Sequence, residues 1–254
     1  MINVLVAGFP GAMGQNVVNM LKTHDNFKLT AIFNPVVAVD PAAYGLASDV
    51  KVWSTYDQIE PGVADVWVDF TTPKAVASNI EAALNAGMHP VVGTSGMAQA
   101  DQARLIEQAA KLHIGGLIAP NFGISAVLLM QFAAQAAKYF PDAEVIEMHH
   151  EDKLDAPSGT AKATAQMIAA ARTSDPRPTT DDPAHGERID GVPVHAVRLP
   201  GYVAHEQVLF GAPGEALTIR QDSFDRKSFM SGVAVAIEKV QTLDTLVVGL
   251  EHLL

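Results

Sequence analysis

The stretch "MINVLVAGFPGAMG", residues 1–14, decides the fold. Residues 4–7 are uninterrupted apolar side chains, and Gly8, Gly11 and Gly14 follow at three-residue intervals. The next residues, "QNVVNMLKTH" (15–24), place apolar groups at 17, 18, 20 and 21, on one face of a helix. The order is therefore strand, glycine turn, helix. Glycines at such a turn let an anion approach backbone N–H groups at a helix N-terminus, as in dinucleotide-binding turns. The spacing is G-x-x-G-x-x-G, and Pro10 stands where the common fingerprint has its second glycine, so the turn has one N–H fewer. A tight strand-to-helix turn without a ligand would use the same glycines.

Working outward, strands are expected at 27–34, 66–70, 90–95 and 113–120. Helical segments follow at 73–87, 97–111 and 121–140. Strands alternating with helices indicate an α/β fold with a doubly wound parallel sheet. Ligands of such sheets gather at the carboxyl ends of the strands, where "GTSG" (93–96) and "APNFG" (119–123) join the first glycine turn. After Pro141 the pattern changes. "AEVIEMHH" (143–150) reads as a strand, a helix follows Ser158, and "VPVHAVRL", "HEQVLF" and "EALTIRQ" are strand-like runs separated by turns, a sheet with hairpin connections. Helical periodicity returns at 228–243. The segment 173–190, rich in Pro, Asp and Thr, reads as a loop long enough to be functional or mobile.

Composition narrows the function. Across 254 residues there is no cysteine, which excludes disulfides, thiolate metal sites and a cysteine nucleophile. A net charge of −11 with 17 basic residues disfavours nucleic acid and anionic membranes as partners, but not a small anion held locally. The amino terminus lacks a basic n-region and no run of eighteen apolar residues occurs, so a soluble cytoplasmic protein is expected.

The densest chemistry is "EMHHEDKLDAPSGTA" (147–161), with two histidines, a lysine and a Ser-Gly-Thr helix start inside fifteen residues. If the strand continues, His149 and His150 project to opposite sides, so one of them alone belongs to a site, and a structural role is the alternative for either. The adjacent pair lacks the i, i+4 spacing of H-E-x-x-H, so no metal site is expected. "APSGTA" is a helix start with Ser158 as cap, suited to a carboxylate at the N–H groups of Gly159 and Thr160 or, equally, an ordinary cap.

These motifs together, "GFPGAMG", "DFTTP" (69–73), "GTSG", "APNFG" and "EMHHEDKLDAPSGTA", resemble the 4-hydroxy-tetrahydrodipicolinate reductase family of lysine and diaminopimelate biosynthesis, and the likeness spans the chain. Two positions depart from the family pattern: Gln221 stands where a histidine is expected, and "FNP" (33–35) lacks the usual acid after the second strand.

The resemblance implies a Rossmann-type domain at 1–121 completed by 228–254. It implies an inserted α+β substrate-binding and oligomerisation domain on a mixed sheet at 122–227, closure of the domains over substrate, and a homotetramer. It implies NADH or NADPH as cofactor and a small dicarboxylate as substrate. Carried over by position, His149 is the proton donor or acceptor and Lys153 a second proton donor, His150 contacts substrate, and Gly159 and Thr160 hold a carboxylate. Cofactor contacts fall on Gly8, Phe9, Pro10, Gly11, Ala12 and Met13, on Asn34, on Gly93, Thr94 and Ser95, and on Ala119, Pro120, Asn121 and Phe122. The open alternatives are another two-domain NAD(P)-dependent oxidoreductase and a non-catalytic dinucleotide sensor.

Overall fold

The computed structural model describes residues 1–37, 39–177 and 183–254. The chain forms two compact units, Met1–Phe122 with Phe229–Leu254, and Gly123–Ser228. In chain order the elements are β1 (Ile2–Ala7), α1 (Ala12–Leu21), β2 (Phe27–Phe33), β3 (Lys51–Trp53), β4 (Val66–Asp69), α2 (Val76–Asn85), β5 (His89–Val92), α3 (Gln99–Leu112) and β6 (Gly116–Ile118). The second unit contributes α4 (Ile124–Ala137), β7 (Asp142–His149), α5 (Gly159–Ala171), β8 (Glu187–Ile189), β9 (Val192–Arg198), β10 (Ala204–Ala212) and β11 (Glu215–Ser223). The chain then returns to the first unit with α6 (Phe229–Lys239) and β12 (Leu246–Val248).

The first unit is a seven-stranded sheet in the order β12-β6-β5-β4-β1-β2-β3, with every pairing parallel. Val4, Leu5, Val6 and Ala7 are fully buried, because a central parallel strand is covered on both faces; hence the continuous apolar run at the amino terminus. Strand order reverses between β1 and β4, the crevice in which doubly wound sheets bind ligands. Two strands were not foreseen. β3 and β12 are three residues each, too short to carry a period, and are held by pairing to β2 and β6. The expected strands at 90–95 and 113–120 are shorter than predicted, and 93–95 form a loop after β5.

The second unit is a mixed sheet in the order β11-β10-β7-β9-β8, in which β7 and β9 are parallel and the remaining pairs antiparallel. Helices α4 and α5 supply Leu129, Ala133, Ala165 and Ile168 to a core with Val145, Val208 and Phe210. Alternation then places Glu147 and His149 on the same face as Val145. Glu206 on β10 lies opposite Glu147, and Gln221 on β11 opposite Glu206.

Within the expected 173–190 loop, residues 178–182 lie outside the described residues, whereas Glu187–Ile189 form β8, paired antiparallel to β9. Asp190 and Gly191 join them at φ +48° and +79°, the left-handed pair of a two-residue hairpin turn. The Asp-Gly pair is a hairpin signal at the end of the expected loop.

Candidate active site

Each unit carries its own cluster of candidate site residues. In the first, Gly8 adopts φ +93°, and a Cβ there would lie 2.1 Å from the Phe70 carbonyl oxygen. At Gly14 a Cβ would lie 2.9 Å from the Gly8 carbonyl oxygen. Only glycine allows the turn to fold this closely onto the end of β4 and onto the start of α1. The Gly11 N–H donates back to the Gly8 oxygen at 2.9 Å, which leaves the first-turn amides of Ala12 and Met13 without helical acceptors. This turn borders a cavity of about 350 Å³, walled by Gly11, Ala12 and Met13 on one side and by Phe70, Thr71, Pro73, Gly93, Thr94 and Ser95 on the other. Small residues, open amides and a crevice at the reversal of strand order fit a dinucleotide.

A buried carboxylate builds the far wall. Asp69 is fully buried and accepts from Thr71 Oγ1 and Thr94 Oγ1 at 2.7 Å each, from the Thr71 N–H at 3.1 Å and from Asn79 Nδ2 at 2.8 Å. Asn79 in turn accepts from the Tyr56 hydroxyl, whose pKa is raised by burial and by the nearby Asp69 charge. The carboxylate thus fixes the loops after β4 and β5 relative to each other. Asn34 donates to the Phe9 carbonyl at 2.6 Å, while its Oδ1 accepts from the N–H groups of Val36 and Val37. Its acceptor oxygen is therefore engaged. Phe9, Ala119 and Phe122 are buried, as is Thr94 in the cavity wall; the Phe122 ring lies 5.8 Å from Phe70.

In the second unit the organising group is Glu147, also fully buried. Oε2 accepts from His149 Nδ1 at 2.6 Å and from Arg198 Nη1 at 2.7 Å, and Oε1 accepts from Arg198 Nη2 at 2.8 Å and from the Ser158 N–H at 2.9 Å. Burial would raise the pKa of this carboxyl, but the hydrogen bonds from His149, Arg198 and Ser158 outweigh it and hold the pKa at about 2. Arg198 also donates from Nε to the Lys153 carbonyl and from Nη2 to the Asp155 carbonyl, at 3.2 and 2.7 Å. One guanidinium therefore clasps the loop between β7 and α5 to the carboxylate at its root. Lys153 Nζ donates to Asp155 Oδ1 at 2.6 Å.

Ser158 caps α5, its Oγ accepting from the Ala161 N–H at 3.2 Å. Gly159 lies in the open, where a Cβ would meet nothing within 4 Å, and Thr160 completes the first turn. His149 ends β7 on the Glu147 face; His150 lies past the strand end, and its ring makes no hydrogen bond or ion pair among the described residues. Gln221 accepts from Ser125 Oγ at 3.2 Å and so faces α4. Nearby, Glu206 is buried and accepts from Thr164 Oγ1 at 2.5 Å. Burial pushes its pKa up, the Thr164 bond opposes and the Glu147 charge adds, to about 7.

The sequence matches the models of the dihydrodipicolinate reductase N-terminus over residues 2–122 and of its C-terminus over 125–254. The chain belongs to the dihydrodipicolinate reductase family. It is 56% identical over 255 residues to a 4-hydroxy-tetrahydrodipicolinate reductase of Lactobacillus acidophilus, covering 99% of this chain and 98% of that one. A second such reductase, from Limosilactobacillus fermentum, is 56% identical over the whole of both chains. The dipicolinate-bound dihydrodipicolinate reductase of Paenisporosarcina sp. TG-14 superposes with a TM-score of 0.89 at 40% identity, covering both chains completely. A probable dehydrogenase of Thermotoga maritima shares only the fold, with a TM-score of 0.67 at 13% identity, 99% of this chain and 92% of that one.

Residue reading missed several members of this reductase site. Glu147 stands two residues before His149, on its face of β7, and that i, i+2 spacing was the available signal. Arg198 is 51 residues from Glu147 in sequence and gave no local signal. Asp69, Phe70 and Thr71 lie in the quoted "DFTTP", to which no role was given.

Proposed function

We propose that this chain is the NAD(P)H-dependent 4-hydroxy-tetrahydrodipicolinate reductase of the diaminopimelate route to lysine, with the dicarboxylate held in the second unit and the dinucleotide in the first. The single observation that carries the reading is that the His149 imidazole and the Ser158 N–H at the start of α5 both donate to Glu147, which gathers a proton donor and an anion-binding helix start around one carboxylate. Family membership and the dipicolinate-bound relative support it.

In balanced form, the substrate, NAD(P)H and one proton give tetrahydrodipicolinate, NAD(P)⁺ and water. The dinucleotide, when bound, supplies the hydride. The residues that hold it are Gly8, Phe9, Pro10, Gly11, Ala12 and Met13, Asn34, Gly93 to Ser95, and Ala119 to Phe122, those with buried side chains serving through backbone and packing. His149 delivers the proton to the enamine carbon left by reduction, and Lys153 is a second donor and countercharge. His150 contacts the substrate, and the amides of Gly159 and Thr160 take one carboxylate at the positive end of α5. The sheet face opposite α4 and α5 is the surface through which we infer a homotetramer; light scattering showing a monomer would refute that part.

Coupling the upstream synthase to this protein and following loss of reduced-cofactor absorbance tests the activity. Turnover, with thermal stabilisation by pyridine-2,6-dicarboxylate in the presence of reduced cofactor, is the expected result. Absence of both would overturn the assignment.

A further inference from the structure

Glu147 touches no surface and the sequence reading gives it no part, yet four donors converge on it. Three of them are permanent: both Arg198 nitrogens remain charged at any working pH, and the Ser158 amide cannot titrate. Only the fourth, His149, has a choice of proton position. A neutral imidazole carries its hydrogen on one nitrogen, and a carboxylate that already holds Arg198 can offer the ring only an acceptor. Glu147 cannot serve as the donor in that bond.

We propose that Glu147 is the positioning residue of the reductase, holding the His149 hydrogen on Nδ1 so that Nε2 is the nitrogen that gives up and recovers the catalytic proton. Arg198 is part of the same device. By occupying one lone pair on each Glu147 oxygen it fixes the rotation of the carboxylate, and its positive charge and two donated hydrogen bonds keep that carboxylate ionised beside the imidazole. The charged groups around the pair are Arg198 from β9, Lys153 and Asp155 from the loop, and Glu206 from β10. When the proton has left from Nε2, the Nδ1–H bond to Glu147 persists and the ring does not turn. The next proton therefore arrives at the same nitrogen without reorientation.

The inference rests on His149 being the proton donor, and the experiment separates the two. Nitrogen-15 NMR of histidine-labelled wild-type protein, with the His149 signals identified from the His149→Asn spectrum, should show Nδ1 protonated and Nε2 unprotonated above the ring's titration; no turnover is required for that reading. The reverse tautomer would overturn the proposal whatever the activity. In the synthase-coupled assay Glu147→Gln should lower kcat by tenfold or more with KM for the dicarboxylate changed by less than about threefold, and should move the basic limb of the pH–rate profile about one unit toward acid. Glu147→Asp, which retains the charge, should recover the position of that limb. A Glu147→Gln profile that superposes on the wild type would refute the role. Should Glu147→Gln fail to fold, the wild-type tautomer decides alone.

Discussion

Lys153 and His149 reach the same site by different means. His149 is fixed by the strand that ends on it, whereas Lys153 is carried by a loop whose shape depends on Arg198 holding the carbonyls of Lys153 and Asp155. We expect Lys153→Ala and His149→Ala each to lower turnover about a hundredfold or more, the scale for removing a general acid, with dinucleotide affinity changed by less than twofold in fluorescence titration. A double variant close to wild-type turnover would sink both assignments. Cofactor choice is also decided residue by residue. Asn34 brings no charge to repel a 2′-phosphate, and its oxygen is taken by Val36 and Val37; Lys51, on the neighbouring strand β3, pairs with Glu60 and lies over Trp53. With neither a repulsive nor an attractive element engaged, efficiencies with NADH and NADPH should agree within about tenfold, roughly 1.4 kcal/mol. Steady-state kinetics at one ionic strength check this, and a hundredfold preference either way would contradict it. The histidines, Lys153 and the Ser-Gly-Thr start were legible because they are contiguous. Arg198 was not, because its bond to Glu147 closes 51 residues of chain, and Glu147 was marked only by its i, i+2 spacing from His149.

Among the elements, β7 and β10 set two carboxyl groups opposite each other in a buried row, and their protonation is pushed in opposite directions. Glu147, depressed to about 2, contributes stability that is present above the ordinary glutamate range and is lost as pH falls through about 2. Glu206, raised to about 7, works the other way: its contribution is full below the ordinary value of 4.5 and is lost as pH rises through about 7. Between pH 5 and 8 the wild type should therefore lose stability relative to Glu206→Gln by on the order of 3 kcal/mol. Urea unfolding of both proteins at several pH values measures the difference, and parallel curves would show Glu206 to be ionised throughout. The strands carrying this row were readable from alternation. Short strands were not: β3, β8 and β12 have three residues each and exist through their partners. β8 alone advertised itself, through the Asp190-Gly191 turn.

At the scale of the whole molecule, the first unit is discontinuous. Its sheet is finished by β12, and Val233, Ala236, Ile237, Leu246 and Leu250 of the returning segment are buried. Gly232 packs so tightly that a Cβ would lie 2.0 Å from the Phe122 carbonyl oxygen. Each of the larger aliphatic side chains, Val233, Ile237, Leu246 and Leu250, is worth about 1.5–3 kcal/mol when buried, against a total stability of about 5–15 kcal/mol. A chain stopped after residue 228 should therefore show no cooperative unfolding of the first unit by circular dichroism in urea; a transition within about 1 kcal/mol of the full-length value would contradict this. The return of helical periodicity near residue 228 was plain in the sequence. The need of β6 for a partner strand was not, since the two segments lie more than a hundred residues apart. This arrangement bears on how the protein is made. On the ribosome, residues 1–122 emerge first, but the edge of β6 has no neighbour until residues 246–248 have been synthesised and released. At roughly 5–20 residues per second, that edge waits on the order of ten seconds, while the contiguous second unit is already complete. The usual order, in which the amino-terminal domain folds first during translation, should therefore invert here, with the unpaired edge of the first half the part of the nascent chain open to aggregation and to chaperones.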